Sequence, residues 1–327
     1  MFQMLTAVLL TTSIFTVHTD TTVTVKPGTR LVVENFGGSV TVSTWLKNAV
    51  HIEAEHSTRA TVEIENTENS LKITSSGRYG PPRATDYTIT MPRGMELRVT
   101  GVYTDVTVEG SEGEVRAQTV RGDISLRGGR GFVSLRSVQG EVRVRGARGR
   151  LELASVNEGV DAADVEGEIQ AETVNGDVVL AGVTSAMVEA TTVNGDICYQ
   201  GPIARDGHYR FATHNGDISL GLPDDANATV SVSTFEGDFE SVFKTRLTDS
   251  GGKRFNFTLG SGSAEIALES FQGTIRLRHA GEKCGEDLGD LEDLKDLKDL
   301  KDLKDLEKLK DLEKRKRHKN NDNGNDE

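Results

Sequence analysis

Between residues 118 and 197 the chain repeats one short phrase: an apolar residue, any residue, glycine, a polar residue, then two apolar positions two apart. From residue 120 to 180 the phrase returns every nine residues without an insertion. A second apolar column reads Ile124, Val133, Val142, Leu151, Val160, Ile169, Val178 and Met187. A third reads Leu126, Leu135, Val144, Leu153, Ala162, Ala171, Leu180 and Ala190. Every second copy sets a hydroxyl residue before a valine, at Thr119-Val120, Ser137-Val138, Ser155-Val156, Thr173-Val174 and Thr192-Val193, so the full repeat is about eighteen residues. Apolar residues two apart and then a glycine-marked corner describe a short strand and a bend. A helix does not fit, because these spacings do not gather on one helical stripe.

Such short strands cannot bury an apolar side alone. Stacked coils can, each strand pairing with the coils above and below it about 4.8 Å away. The expected fold is all-β, a right-handed parallel β-solenoid of about eighteen residues per coil. The column Val120, Val138, Val156, Val174 and Val193 is expected to line its interior with the other two. Gly122, Gly140, Gly176, Gly195, Gly216, Gly237 and Gly273 are the expected structural corners, since glycine accepts positive φ and close backbone approach. Asn175, Asn194 and Asn215, with Asn157, are expected to stack there as an amide ladder. Downstream the corners lie farther apart, 21 and then 36 residues, which reads as lengthened loops. Glycine (35) is frequent and tryptophan (1) scarce, so few large side chains exist to fill a wide globular core, and a narrow interior suits the composition.

Four regions are expected: a leader over 1–19, irregular capping β coils over 20–95, the regular solenoid over 96–279, and a charged tail over 280–327. The apolar run at residues 4–17 reads as a signal peptide, which implies export to the periplasm, the cell surface or the medium. No later stretch approaches the ~20 apolar residues of a membrane span. In the tail, leucine recurs every third residue from Leu288 to Leu312, so on a helix the leucines circle the axis instead of forming a seam, and a marginal helix or an expanded low-complexity repeat is expected. Two cysteines, Cys198 and Cys284, make neither a disulfide framework nor a cysteine zinc site. Alternation points Cys198 outward, where an interchain disulfide and an idle thiol both remain open. A formal charge of −13 disfavours a specific nucleic-acid binder.

Leu31–Val42 (LVVENFGGSVTV), the strand Met91–Val99 and the serial Thr-Val-Asn-Gly-Asp corners together resemble the bacterial putative-adhesin family of β-strand-repeat proteins, over roughly residues 22–279. The resemblance implies an exported β-helical protein. It supplies no catalytic residue, cofactor or ligand.

Arg116, Arg121, Arg127, Arg130, Arg136, Arg143, Arg145, Arg148 and Arg150 form a basic zone, followed by an acidic one at Glu152, Glu158, Asp161, Asp164, Glu166, Glu168 and Glu172. Guanidinium forks match carboxylate and phosphate, so the basic zone is a candidate site for an acidic glycan or lipid head group. The competing reading is pairing between neighbouring coils. Asp123, Asp177, Asp196, Asp217 and Asp238 invite calcium, but one glycine directly before each acid is not the chelating pattern, and solvated turns are expected. Arg121-Gly122-Asp123 spells an integrin-type tripeptide yet simply occupies the corner register. Asp206, His208, Asp249 and Lys253 lie in longer loops without a spacing that ties them together, and His214 reads as a corner residue in a valine column. No catalytic residue, metal site or cofactor is therefore expected. The partner stays open among an envelope glycan, an anionic surface and another protein. The leading expectation is a non-enzymatic, exported structural or adhesive surface module. A polyanion-binding module is the alternative, and a carbohydrate-active enzyme comes third.

Overall fold

The computed structural model describes residues 16–77, 83–243 and 254–281. The chain divides into two units, Met1–Cys284 and Gly285–Glu327. The second unit, with the expected tail helix, lies outside the described residues, as do Asp249, Lys253 and Cys284. The described residues hold twenty-four strands, in one sheet whose pairings are mostly parallel. No helix among them is long and apolar enough to cross a membrane.

In the middle of the first unit two ladders run side by side. One comprises Val115–Arg121, Arg130–Gln139, Arg148–Ala154, Glu166–Glu172 and Thr184–Asn194, each parallel to the next. The other comprises Ile124–Gly128, Val142–Arg145, Val160–Ala163, Val178–Ala181 and Ile197–Gln200. Like falls on like: Val115 faces Val133, which faces Leu151, which faces Ile169. These partners are eighteen positions apart. The second and third apolar columns are buried from Ile124 to Leu180 and join one continuous core. Met187 is the exception, 49% exposed, while Val188 is buried. The register shifts between Glu166 and Glu168, opposite Thr184 and Met187, and the extra residue hands the inward place to Val188.

The first valine column is not in the core. Val120, Val138, Val156, Val174 and Val193 are 37–47% exposed, and the hydroxyl residues before them are buried. Adjacent strand residues point to opposite sides, so only one of each pair can face inward. The corner decides which. Each glycine turn leaves a backbone carbonyl inside that the strand ladders do not serve, and a hydroxyl can donate to it where a valine cannot. Ser137 donates to the Gly122 carbonyl at 3.0 Å, Ser155 to Gly140 at 3.0 Å, Thr173 to Glu158 at 2.8 Å and Thr192 to Gly176 at 3.0 Å. Thr213 and Ser270 continue the series onto Gly195 and Gly216.

At both ends the order of stacking departs from the order of the chain. Arg30–Trp45 pairs with Leu97–Ser111 on one side and with Ser70–Gly77 and Thr85–Pro92 on the other, so a later segment lies outside an earlier one. Antiparallel strands close this end: Ala60–Asn66 on Ser70–Gly77, Ala49–Ser57 on Thr85–Pro92, and Thr16–Thr24 on Ala49–Ser57. The last of these takes in residues 16–19 of the expected leader. At the other end Ala264–Gln272 sits between His208–Asn215 and Ala228–Glu236, and Ile275–His279 between Ile218–Leu222 and Phe239–Ser241. Arg254–Leu259 then lies antiparallel on Ala228–Glu236. The widened spacing is thus partly an excursion that builds the outer coil before the chain returns to fill the layer beneath. Such closure covers strand edges that would otherwise be open to pairing.

Candidate interaction surface

The corner that ends each strand of the first ladder carries the most regular exterior on the described residues. Val120, Val138, Val156, Val174 and Val193 succeed one another there, and the line continues through His214, Phe271 and Phe235. His214 stacks on Phe271 with ring centroids 4.6 Å apart, and Phe271 on Phe235 at 4.7 Å. His214 is therefore part of an aromatic stack that carries on a valine ridge, more than a tolerated corner residue. Phe271 is 39% and Phe235 53% exposed.

Beside the ridge runs the amide ladder. Asn175 donates to Asn157 at 3.3 Å, Asn194 to Asn175 at 2.9 Å and Asn215 to Asn194 at 2.7 Å. The glycines next to it are fixed by contact as much as by conformation. Gly122 has φ +132°, and a Cβ there would stand 2.2 Å from the Thr104 carbonyl oxygen. The corner acids are more than solvated turns. Asp123 accepts from the Glu141 amide at 2.9 Å, Asp177 from Asp196 at 2.8 Å, Asp196 from Asp217 at 2.8 Å and Asp217 from Thr274 at 2.7 Å. Each carboxylate thus caps the next coil, and the Asp123 of the tripeptide is used in this way. Burial first, then the neighbouring charges of Asp177 and Asp217, push the Asp196 carboxyl above its ordinary range against the amide hydrogen bond from Asp217.

The basic zone is largely paired across coils. Arg136 meets Glu152 at 3.4 Å, Arg148 meets Glu166 at 3.2 Å, Arg116 meets Glu96 at 3.0 Å, and Arg150 meets Glu168 at 4.0 Å besides Glu152 of its own strand at 3.3 Å. Arg143 pairs with Glu141 and, at 3.4 Å, with Asp123; Arg145 pairs with Asp161. That hydrogen bond to Asp161 raises the Arg145 guanidinium above its ordinary pKa. Arg121 instead donates to Gln139 at 2.5 Å and lies over the Tyr103 ring. Arg127 and Arg130 have no carboxylate partner among the described residues, and they neighbour Arg145 and Arg148 in register.

Among the described residues, the loop groups Asp206 and His208 do not converge on one another: Asp206 pairs with Arg205, at 3.9 Å, and His208 with Glu265 at 3.1 Å. Asp20, His51 and Glu53 bring three potential ligand atoms within 4.8 Å of one another, but Thr22 and Glu53 already engage the two ring nitrogens of His51, at 3.0 and 2.9 Å. A shallow trough of about 1200 Å³ lies beside the aromatic end of the ridge, floored by Thr213, Ser231 and Ser233 and bordered by Arg254 and Phe271. Cys198 is neither outward-open nor idle: it is buried and disulfide-bonded.

These features define a repeat protein of all-β, mainly parallel architecture, with its chemistry at the corners. The chain belongs to the Toastrack DUF4097 family, which it matches over residues 12–278, a domain family of unknown function. Two crystal structures are similar at low identity. A "putative cell adhesion protein" from Clostridium sporogenes is 11% identical, with 80% of this chain and 99% of that one covered and a TM-score of 0.23. A "putative adhesin" from Parabacteroides merdae is 12% identical, with 80% and 95% covered and a TM-score of 0.42. No curated protein matches the chain.

Proposed function

We propose that this chain is an exported, non-enzymatic β-solenoid, right-handed with about eighteen residues per coil, that serves as a structural or adhesive surface module with the valine–aromatic ridge as its contact line. One observation carries this reading. Val120, Val138, Val156, Val174, Val193 and Phe271 lie exposed in one file, although each sits next to a residue that is buried. A contiguous apolar line on a water-facing surface marks a contact site more often than scattered apolar residues do. Replacing Val156 and Val174 with lysine is expected to lower retention of the purified protein on isolated cell envelopes about fivefold or more without lowering its melting temperature. Equal retention removes the ridge from the proposal, and a full-length chain found only in cytosol removes export.

The arrangement of Arg127 and Arg130 favours a second reading, binding of an acidic glycan or lipid head group. Each neighbours another arginine of the zone Arg121, Arg127, Arg130, Arg136, Arg143, Arg145, Arg148 and Arg150 and makes no ion pair among the described residues, although Glu109 stands opposite Arg127 in register. Serine at Arg127 and Arg130 is expected to weaken retention on an immobilised polyanion at low salt, an effect that added salt abolishes. Unchanged elution counts against it.

A further inference from the structure

We infer that the ridge docks a second copy of this chain, antiparallel, across a two-fold axis between the Val174 and Val193 coils. This rests on the reading of the ridge as a contact surface and names its occupant. Eight successive coils contribute to the line, from Val120 to Phe235, a span of about 34 Å at strand spacing. A two-fold axis at its centre lays the first coil over the eighth, the second over the seventh and the third over the sixth. Three pairs of charged side chains flanking the ridge then meet as opposites. Arg121 faces Glu236, Arg136 faces Glu269, and Glu152 faces Arg210.

The last two encounters form one network. Within a single chain Arg136 already pairs with Glu152 at 3.4 Å and Arg210 with Glu269 at 3.1 Å. The reversed copy presents its Arg210–Glu269 pair to Arg136–Glu152 with the polarity inverted, so four charges alternate in sign. A parallel arrangement would instead set each coil on its own counterpart with the flanks exchanged, so the Arg136 side would meet the Gln139 side and the Glu269 side the Gln272 side, and neither charge would find an opposite. Charge therefore selects the direction, and the apolar line supplies the contact. The corner acids stay out of it, since their carboxylates run along the stack onto the next coil's amides. A contact this narrow falls at the small end of protein interfaces, so the association is expected to be weak and concentration-dependent.

Sedimentation of the full-length chain up to about 100 µM tests the proposal, a range suited to small interfaces. A monomer–dimer equilibrium is expected. Arg136→Glu alone and Glu269→Arg alone should each weaken it about tenfold or more, with unchanged melting. An equal mixture of the two variants should restore it, because both contacts across the axis are again opposite in sign. A chain that stays monomeric throughout, or a mixture no better than either variant, overturns the proposal. Maleimide labelling of Val156→Cys separates the other occupants. Labelling that slows with protein concentration is expected; slow labelling at every concentration assigns the ridge to the chain's own remaining segments, and fast labelling at every concentration leaves it uncovered, and either result overturns the second copy. Reduced envelope retention by the lysine variants of Val156 and Val174, with no dimer at any concentration, would keep the ridge as a contact surface and discard only this partner.

Discussion

The coils from Val115 to Gln200 and the segments at either end use the same alternating strands, but they are assembled by different rules. In the middle, chain order and stack order coincide, and the corner hydroxyls from Ser137 to Thr192 each find a carbonyl of the coil before, while Thr119 donates to Arg121 of its own coil. At the ends the chain overshoots, lays an outer coil and returns, with antiparallel strands as closure. The terminal coil keeps the hydroxyl at Thr234, yet Thr234 Oγ1 is buried without a hydrogen-bond partner there. A repeat propagates by matching its neighbour, whereas an end has no neighbour to match and must bury its edge with whatever the chain can fold back.

Substitution at the glycines should break this contrast most visibly. Gly167 has φ +119°, and a Cβ there would lie 2.0 Å from the Gly149 carbonyl oxygen, so Gly167→Ala is expected to cost about 3 kcal/mol or more in chemical denaturation. Gly94, at the N-terminal end, has nothing within 4 Å of such an atom, and Gly94→Ala should stay within about 0.5 kcal/mol. Equal losses at both would mean that the middle is no more constrained than the end. The hydroxyl column gives a smaller difference. Thr173→Val strands the Glu158 carbonyl and should cost about 1–2 kcal/mol, while Thr234→Val removes a hydroxyl with no partner and should be neutral or stabilising in the same measurement.

The smallest effect sits where the two regimes meet, in the Asp177–Asp196–Asp217 file. Asp196 has a raised carboxyl pKa when folded, so the folded chain holds that proton more readily than the unfolded one. Its contribution to stability falls as pH rises through the raised value and is recovered on acidification toward the unfolded range. Asp196→Asn keeps an oxygen for the Asp217 amide and removes the repulsion. A slightly higher melting temperature at pH 7, converging with the parent below pH 4, is the expected result. A lower melting temperature at pH 7 would show that the charge itself is needed.

The pattern of residues alone determined the all-β class, the parallel stacking and the two inner columns, because burying aliphatic side chains at spacing two leaves few alternatives once glycine fixes the corners. Only the tertiary structure decided that the valines face outward. Periodicity counts apolar residues equally, and nothing local reveals that a corner carbonyl of the previous coil needs a hydroxyl donor. The glycines at 131, 149 and 167, stacked at the opposite corner, were legible in spacing but hidden because that corner lacks a constant neighbour motif. The exchange of layers at both ends could not be read from the chain either, since the partner of an edge strand is chosen by what remains uncovered after the rest has stacked.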